Sequence, residues 1–360
     1  MRGLNRGAAS TLLALGVGGL LVLSSCKASD FARGFASDPG HREDEWQQPV
    51  ASQVDVLFVI DTSCSMEDEQ EALAASGPSF TDFFLDSGIP LHIGATSTNI
   101  FEDDTEGLDG ALAGEPNFIS EETPDLEQAF SELTNMGIDF NHRKEKGLHA
   151  AWVALEELGD TTNAGFLREE ANLVVIIVSD EPDHSATDDE TADDWINWED
   201  FSDWLDEFKG PDTEHRTQLS AIVGISEDGI EDLENGCGQD EDGDGSQSDT
   251  QGAKRGDGYI EAAVATEGAY QSICTEDWGL VLSRMGLRAA GLMDTFVLSA
   301  IPIQESIEMT VSGQPENRWS LVIEQDESGP TSAALYFEDP EAIPPAGSQV
   351  SVQYRVFGSD

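Results

Sequence analysis

The segment Val54-Asp55-Val56-Leu57-Phe58-Val59-Ile60 runs without a linker into Asp61-Thr62-Ser63-Cys64-Ser65-Met66. A short apolar run rich in β-branched residues reads as a strand buried in a parallel sheet. The polar residues then fall where the strand ends, at the mouth of an α/β sheet where ligands bind. Asp61, Ser63 and Ser65 converge from one tight loop. One carboxylate and two hydroxyls make a hard, all-oxygen site suited to Mg²⁺ or another divalent cation.

A second run, Leu173-Val174-Val175-Ile176-Ile177-Val178, is the most apolar after the N-terminal region and leads into Ser179-Asp180-Glu181-Pro182-Asp183. Asp180 stands to its strand as Asp61 stands to the first. Strand-like runs at 55–60, 91–97, 173–178, 218–225 and 295–299 alternate with helix-like runs at 67–85, 144–158, 259–273 and 278–290. That alternation predicts a doubly wound, mostly parallel α/β sheet. Residues 101–137 form a long acidic insertion with little readable pattern. From about residue 301 the pattern changes to short strands at 307–311, 319–323, 333–337 and 349–356, separated by Gly-Pro, Pro-Pro and Ser-Gly turns. A small all-β domain over 301–360 is expected after an α/β domain over 51–300.

Asp61-x-Ser63-x-Ser65 after one buried strand and Asp180 after another resemble the von Willebrand factor A (vWA) domain and its metal-ion-dependent adhesion site. The resemblance implies that the two strands are central neighbours. It also implies that Asp61, Ser63, Ser65 and Asp180 hold Mg²⁺, or Mn²⁺ or Ca²⁺. In such sites the serines coordinate directly and one or both aspartates act through water. A coordination position stays open for a partner's carboxylate. The family's third element is a threonine about five residues before a small residue of the following helix. Counting back from Gly147 gives His142 instead. As a ligand, imidazole would shift preference towards softer ions; the other readings are a surface histidine beside Arg143 and Lys144, with Thr96 or Thr98 serving the site. Glu181 and Asp183 read either as an outer shell around the cation or as acids of a solvated loop or helix N-terminus.

More closely, the chain is similar to a group of bacterial A-domain lipoproteins. The patterns that carry this are Ser65-Met66-Glu67-Asp68-Glu69-Gln70, Gly165-Phe166-Leu167-Arg168, Ser179-Asp180-Glu181-Pro182-Asp183 and Ser272-Ile273-Cys274-Thr275-Glu276-Asp277-Trp278, with Gly313 and Trp319 in the β tail. The N-terminus agrees. Arg2 and Arg6 precede an apolar stretch at 11–23 and then Ser24-Ser25-Cys26. A basic start, a short apolar core and small residues describe a secretory signal over 1–26. Leu23-Ser24-Ser25-Cys26 looks like a lipobox, which would leave Cys26 as a lipidated N-terminus; the alternative is an ordinary signal peptide. Acyl chains anchor without spanning. Residues 27–50, polar and punctuated by Pro and Gly, read as a flexible tether.

Acidic residues outnumber basic ones 72 to 17, for a formal charge of −55. That balance repels nucleic acid and excludes a polybasic membrane patch. Export permits disulfides. Cys237 and Cys274, flanking a helix-like segment, are expected to pair, leaving Cys64 as a free buried thiol. Asp240, Asp242 and Asp244 alternate with Gly245 at the sixth position, like half of an EF-hand loop for a second Ca²⁺. Gln251 stands where the bidentate Glu belongs, so the other reading is an acidic insertion beside Cys237. Trp198, Phe201, Leu205 and Phe208 share a helical face as core, while Trp195 and Trp204 are left for partner contact.

No catalytic fingerprint appears, so the chain is expected not to be an enzyme. The expectation is an exported, lipid-anchored protein of the bacterial envelope, at the outer membrane or cell surface. It would bind a protein ligand in a divalent-cation-dependent way, the partner's acidic side chain completing the metal shell, for adhesion or envelope assembly. The rival readings are an envelope lipoprotein whose cation serves only stability, and a metal-dependent hydrolase using His184.

Overall fold

A computed structural model of the chain describes residues 40–49, 51–100, 108–139, 144–186, 196–210, 216–225, 236–237, 252–326 and 329–356. Cys26, His142, Trp195, Asp240, Asp242 and Asp244 lie outside these residues. The described residues form three β-sheets. The largest has β4 (Ile119–Ser120), β3 (Leu91–Ser97), β2 (Val54–Ile60), β5 (Asn172–Ser179), β6 (Thr217–Val223) and β7 (Tyr270–Ser272), side by side in that order. β3, β2, β5, β6 and β7 are parallel, and β4 pairs antiparallel to β3.

The apolar runs are continuous because both faces of this sheet are covered. Val56, Phe58 and Ile60 of β2 join Val174, Ile176 and Val178 of β5 in one core. Around them pack α1 (Glu67–Ala75), α2 (Gly77–Ser87), α3 (Leu126–Thr134) and α7 (Trp278–Ala289). Leu57 and Val59 join Val175 and Ile177 in the opposite core. It is closed by α4 (Gly147–Trp152), α5 (Trp198–Phe208) and α6 (Tyr259–Ala265). Phe58, Phe80 and Phe130 stack edge to face or tilted, with centroids 5.5–6.1 Å apart, fixing α2 and α3 on the first face.

Several expectations are corrected. The run 259–273 is not one helix: α6 ends at Ala265 and Tyr270–Ser272 adds the sheet's last parallel strand. β-branching is scarce there, and the strand is only three residues long, too short to show a period. The strand β8 (Thr295–Val297) pairs with β12 (Gly329–Tyr336), which pairs with β11 (Ser320–Asp326), so β8 leaves the parallel sheet altogether. Of the tether expected over 27–50, the structure describes residues 40–49, and Gly40–Gln47 is a strand. β1 (Gly40–Gln47) pairs antiparallel with β13 (Gln349–Val356), which continues to β9 (Glu308–Val311) and β10 (Gln314–Glu316). Its sequence Gly-His-Arg-Glu-Asp-Glu-Trp-Gln hides this because β1 is an edge strand, largely exposed, and takes its order from its partner. Gln48 then sits fully buried, its Nε2 donating to Met293 O at 3.0 Å and Pro344 O at 2.9 Å. Among the described residues no helix is long and apolar enough to cross a membrane.

Candidate metal centre

Strand order reverses beside β2: the chain passes from β2 to β3 on one side, then to β5 on the other. The carboxyl ends of β2 and β5 therefore flank the crevice where open α/β sheets place ligands. Asp61 extends β2, with its N–H donating to Val178 O at 2.9 Å. Asp180 follows β5 by one residue. The structure thus brings Asp61, Ser63, Ser65 and Asp180 to one end of one sheet.

Asp61 is fully buried. Ser63 N donates to its Oδ1 at 2.7 Å and Ser179 Oγ donates to its Oδ2 at 2.7 Å. The main-chain oxygen of Asp61 accepts from Gln70 Nε2 at 2.9 Å, so α1 clamps the loop from behind. Burial, then the charges of Glu145 and Asp180, hold the Asp61 carboxyl well above the ordinary carboxylate range, against the two donors. Burial also raises Asp180, with the Ser65 hydroxyl acting in the opposite direction. Asp180 Oδ1 is shut off from solvent and accepts no hydrogen bond. Ser63 Oγ and Ser65 Oγ lie 3.1 Å apart towards the open side. Cys64 between them is a free thiol, and it is exposed rather than buried as expected.

The other expected residues separate into different roles. Asp183 does not face the mouth. Its Oδ1 accepts from Leu148 N at 3.2 Å and Ser185 Oγ at 2.7 Å, and its Oδ2 accepts from Ser185 N at 3.1 Å. It is a cap of α4, a use of a carboxylate that satisfies otherwise orphaned helix N–H groups. Gly147 N donates to Tyr259 Oη at 3.1 Å and His149 N to Ser185 Oγ at 2.9 Å, which completes the cap. A Cβ at Gly147 would meet Tyr259 Oη at 2.7 Å, so only glycine lets α4 approach α6 this closely. Glu181 pairs with Lys254 at 2.8 Å on the surface. Thr96 is fully buried with no partner for its hydroxyl, on the same face as Thr98 but one row deeper in the sheet. Thr98 donates its hydroxyl to Glu145 Oε2.

Glu145 is the residue the sequence reading missed. It is buried beside the crevice, held by His184 N donating to its main-chain oxygen at 2.7 Å. The count back from Gly147 to His142 passes over it. Cys237 and Cys274 are bonded, as expected. The bond ties Cys274 to Cys237, whose N–H donates to Ala253 O at 3.0 Å; beside it Lys254 N donates to Asp180 O at 2.8 Å and Asp183 N to Asp257 O at 2.9 Å.

Among the described residues, no three His, Cys, Asp or Glu side chains stand at metal-ligand spacing on their own. The donor set at the crevice is instead mixed hydroxyl and carboxylate. Its chemistry fits a hard divalent cation: all donors are oxygen, and the buried Asp180 Oδ1 lacks a partner. Asp61, Ser63, Ser65 and Asp180 are the residues that would hold it.

No family model and no curated protein matches the chain. Solved structures similar to it include the pilus adhesin SpaC from Lactobacillus rhamnosus GG, at 13% identity and TM-score 0.40, covering 88% of this chain and 41% of that one. Proximal thread matrix protein 1 from the mussel byssus is similar at 10% identity and TM-score 0.36, covering 70% of this chain and 50% of that one. A form of the same mussel protein with a zinc-occupied metal-ion-dependent adhesion motif is similar at 13% identity and TM-score 0.36, over 69% and 48% of the two chains. The chain thus spans half or less of the length of these structures.

Proposed function

We propose that the protein is a divalent-cation-dependent binding module of the vWA type. Asp61, Ser63, Ser65 and Asp180 hold Mg²⁺, Mn²⁺ or Ca²⁺, and an acidic side chain of a protein partner completes the shell. The cation supplies positive charge at the open end of the crevice. The chain supplies the frame: Ser179 and Ser63 N orient Asp61, Gln70 fixes its main chain, and the serine hydroxyls stand at the solvent side.

The observation that carries this reading is the buried, unpartnered Asp180 Oδ1 beside buried Asp61 at the sheet's switch point. Two such carboxylates, with no ion-paired base among the described residues, are costly unless a cation or protons neutralise them. Binding rather than catalysis is favoured because, among the described residues, no hydroxyl hydrogen-bonds His184 Nδ1, which is buried without a partner. Ser185 Oγ, the nearest such hydroxyl to His184 in sequence, is engaged by Asp183.

The Cys237–Cys274 bond supports an oxidising compartment. Together with the lipobox-like Leu23-Ser24-Ser25-Cys26, it favours export and lipid anchoring in the envelope, with adhesion or envelope assembly as the role. The test is calorimetric titration with Mg²⁺, Ca²⁺ and Mn²⁺ against wild type and Asp61→Ala, then capture on an array of Asp- and Glu-containing peptides with cation or chelator. Cation binding lost in Asp61→Ala, with cation-dependent capture lost alongside, is the expected result. Identical titrations of the two proteins would sink the reading, and cation binding without any capture would favour a purely structural ion.

A further inference from the structure

We propose that Glu145 is the third negative charge of the cation site, a positioning residue that acts through the Thr98 hydroxyl and through its field on Asp61; this rests on the cation reading above. Glu145 is only 3% exposed. Its place is fixed on both sides: His184 N donates to Glu145 O at 2.7 Å, and the next residue, Lys146, donates its N–H to Thr98 O at 3.1 Å. The loop ahead of α4 is thereby stitched at once to the Asp180 loop and to the end of β3.

Thr98 is the link. Its N–H donates to Ile60 O at 3.1 Å, which sets it beside Asp61 at the ends of neighbouring strands. Ile60 pairs with Ser97, so Asp61 and Thr98 are the next pair, and both point to the face closed by α4. The Thr98 proton is given to Glu145 Oε2. The hydroxyl oxygen then turns its lone pairs away from Glu145, the orientation a carboxylate imposes on a group that must present oxygen to a metal. Among charges, Glu145 affects Asp61 more strongly than Asp180 does. No basic side chain among the described residues forms an ion pair with Asp61 or Asp180.

Three carboxylates collected around a buried crevice, with Asp180 Oδ1 unpartnered, constitute a negative well for a cation. Glu145 does not stand at direct-ligand spacing with the two aspartates. Its contribution is charge and orientation from just outside them. An acidic partner would approach against this charge, so the cation must be in place before the partner binds.

The experiment is calorimetric titration with Ca²⁺ and with Mg²⁺ of the wild type, Glu145→Gln and Asp61→Asn, alongside thermal unfolding in chelator. Gln keeps an acceptor for Thr98 and removes only the charge. The expected result is a cation affinity lowered by roughly tenfold or more in Glu145→Gln, with an unfolding midpoint in chelator equal to or above wild type. A merely structural role would do the reverse, lowering the midpoint and leaving the affinity unchanged, and that result would overturn the proposal. If wild type binds neither ion, the cation reading and this proposal fall together. If Asp61→Asn abolishes binding while Glu145→Gln titrates like wild type, only the role of Glu145 falls. Should Glu145→Gln not fold, Glu145→Asp, which keeps the charge but withdraws it from Thr98, is judged by the same affinity comparison.

Discussion

Ser179 Oγ donates to Asp61 Oδ2 at 2.7 Å across two adjacent parallel strands. The same hydroxyl accepts from Glu181 N at 3.1 Å, so one serine ties the first cation loop to the second. Asp61 is held by protein donors on both oxygens, which fixes the plane of its carboxylate before any ligand arrives. Pre-orientation of this kind sets metal affinity. Ser179→Ala is expected to lower cation affinity about tenfold and to cost about 1 kcal/mol of stability. Calorimetry and urea unfolding read the two effects separately; unchanged affinity would show that Asp61 needs no help from β5.

Asp61→Asn should change sign with the medium. In chelator burial, and after it the charges of Glu145 and Asp180, raise the wild-type carboxyl well above its usual range. Removing that charge relieves repulsion, so the variant is expected to be more stable than wild type by about 1 kcal/mol. In saturating Ca²⁺ the order reverses, because wild type alone gains the binding free energy. A variant less stable in both media would mean that Asp61 serves chiefly as a hydrogen-bond acceptor.

What the sequence made legible follows a simple division. The two central strands and the positions of Asp61 and Asp180 could be read because continuous apolar runs have one common explanation, burial on both faces. The strand order then put the two aspartates together without further information. Glu145 could not be found this way, since its part depends on Thr98 and His184 N, contacts between loops far apart in sequence. Asp183 reads either as an outer shell around the cation or as an acid of a solvated loop or helix N-terminus; the structure gives it the helix N-terminus use, at α4. β1 was invisible because an edge strand needs no apolar period of its own.

At the opposite end of β2, Asp55 is fully buried against Arg168. Arg168 Nε and its own N–H both donate to the carboxylate at 2.7 Å, and Nη2 donates to Val54 O at 2.6 Å. Burial still raises Asp55 above its usual range despite this partner. Arg168→Met would take the guanidinium from a buried carboxylate and is expected to cost about 3–5 kcal/mol. The double change Asp55→Asn with Arg168→Met should recover much of that loss, a comparison that denaturant unfolding makes directly. Equal losses in the single and double variants would show that Arg168 matters for packing, not charge.

The disulfide closes a loop of 37 residues. Constraint of the unfolded chain on that scale is worth about 4 kcal/mol. Its other effect is local: it holds Cys237, whose N–H donates to Ala253 O, next to Lys254, whose N–H donates to Asp180 O. Replacing both cysteines by serine is therefore expected to lower stability and to weaken cation binding as well. Loss of stability with wild-type affinity would confine the bond to the chain-entropy role.

Asp183 gives the fold a pH dependence of known sign. Burial pushes its carboxyl up to about 6, against the hydrogen bonds from Ser185, Leu148 and Tyr259. The folded protein therefore keeps a proton on Asp183 at a pH where the unfolded chain has lost it. Stability from this group is fully present below the unfolded value near 3.8 and is lost as pH rises through about 6. Across that window the loss amounts to about 3 kcal/mol. Raised carboxyls at Asp61, Asp180 and Glu69 tilt the curve the same way, so wild type alone cannot isolate the effect. Asp183→Asn can. Its amide meets Ser185 N with a donor, which lowers stability overall, but it cannot titrate. Urea unfolding in chelator should give a variant curve flatter than wild type between about pH 4 and about pH 7, the two drawing closest at the alkaline end. Parallel curves would mean that the cap of α4 is ionised throughout, and that the hydrogen bonds of Asp183 outweigh its burial.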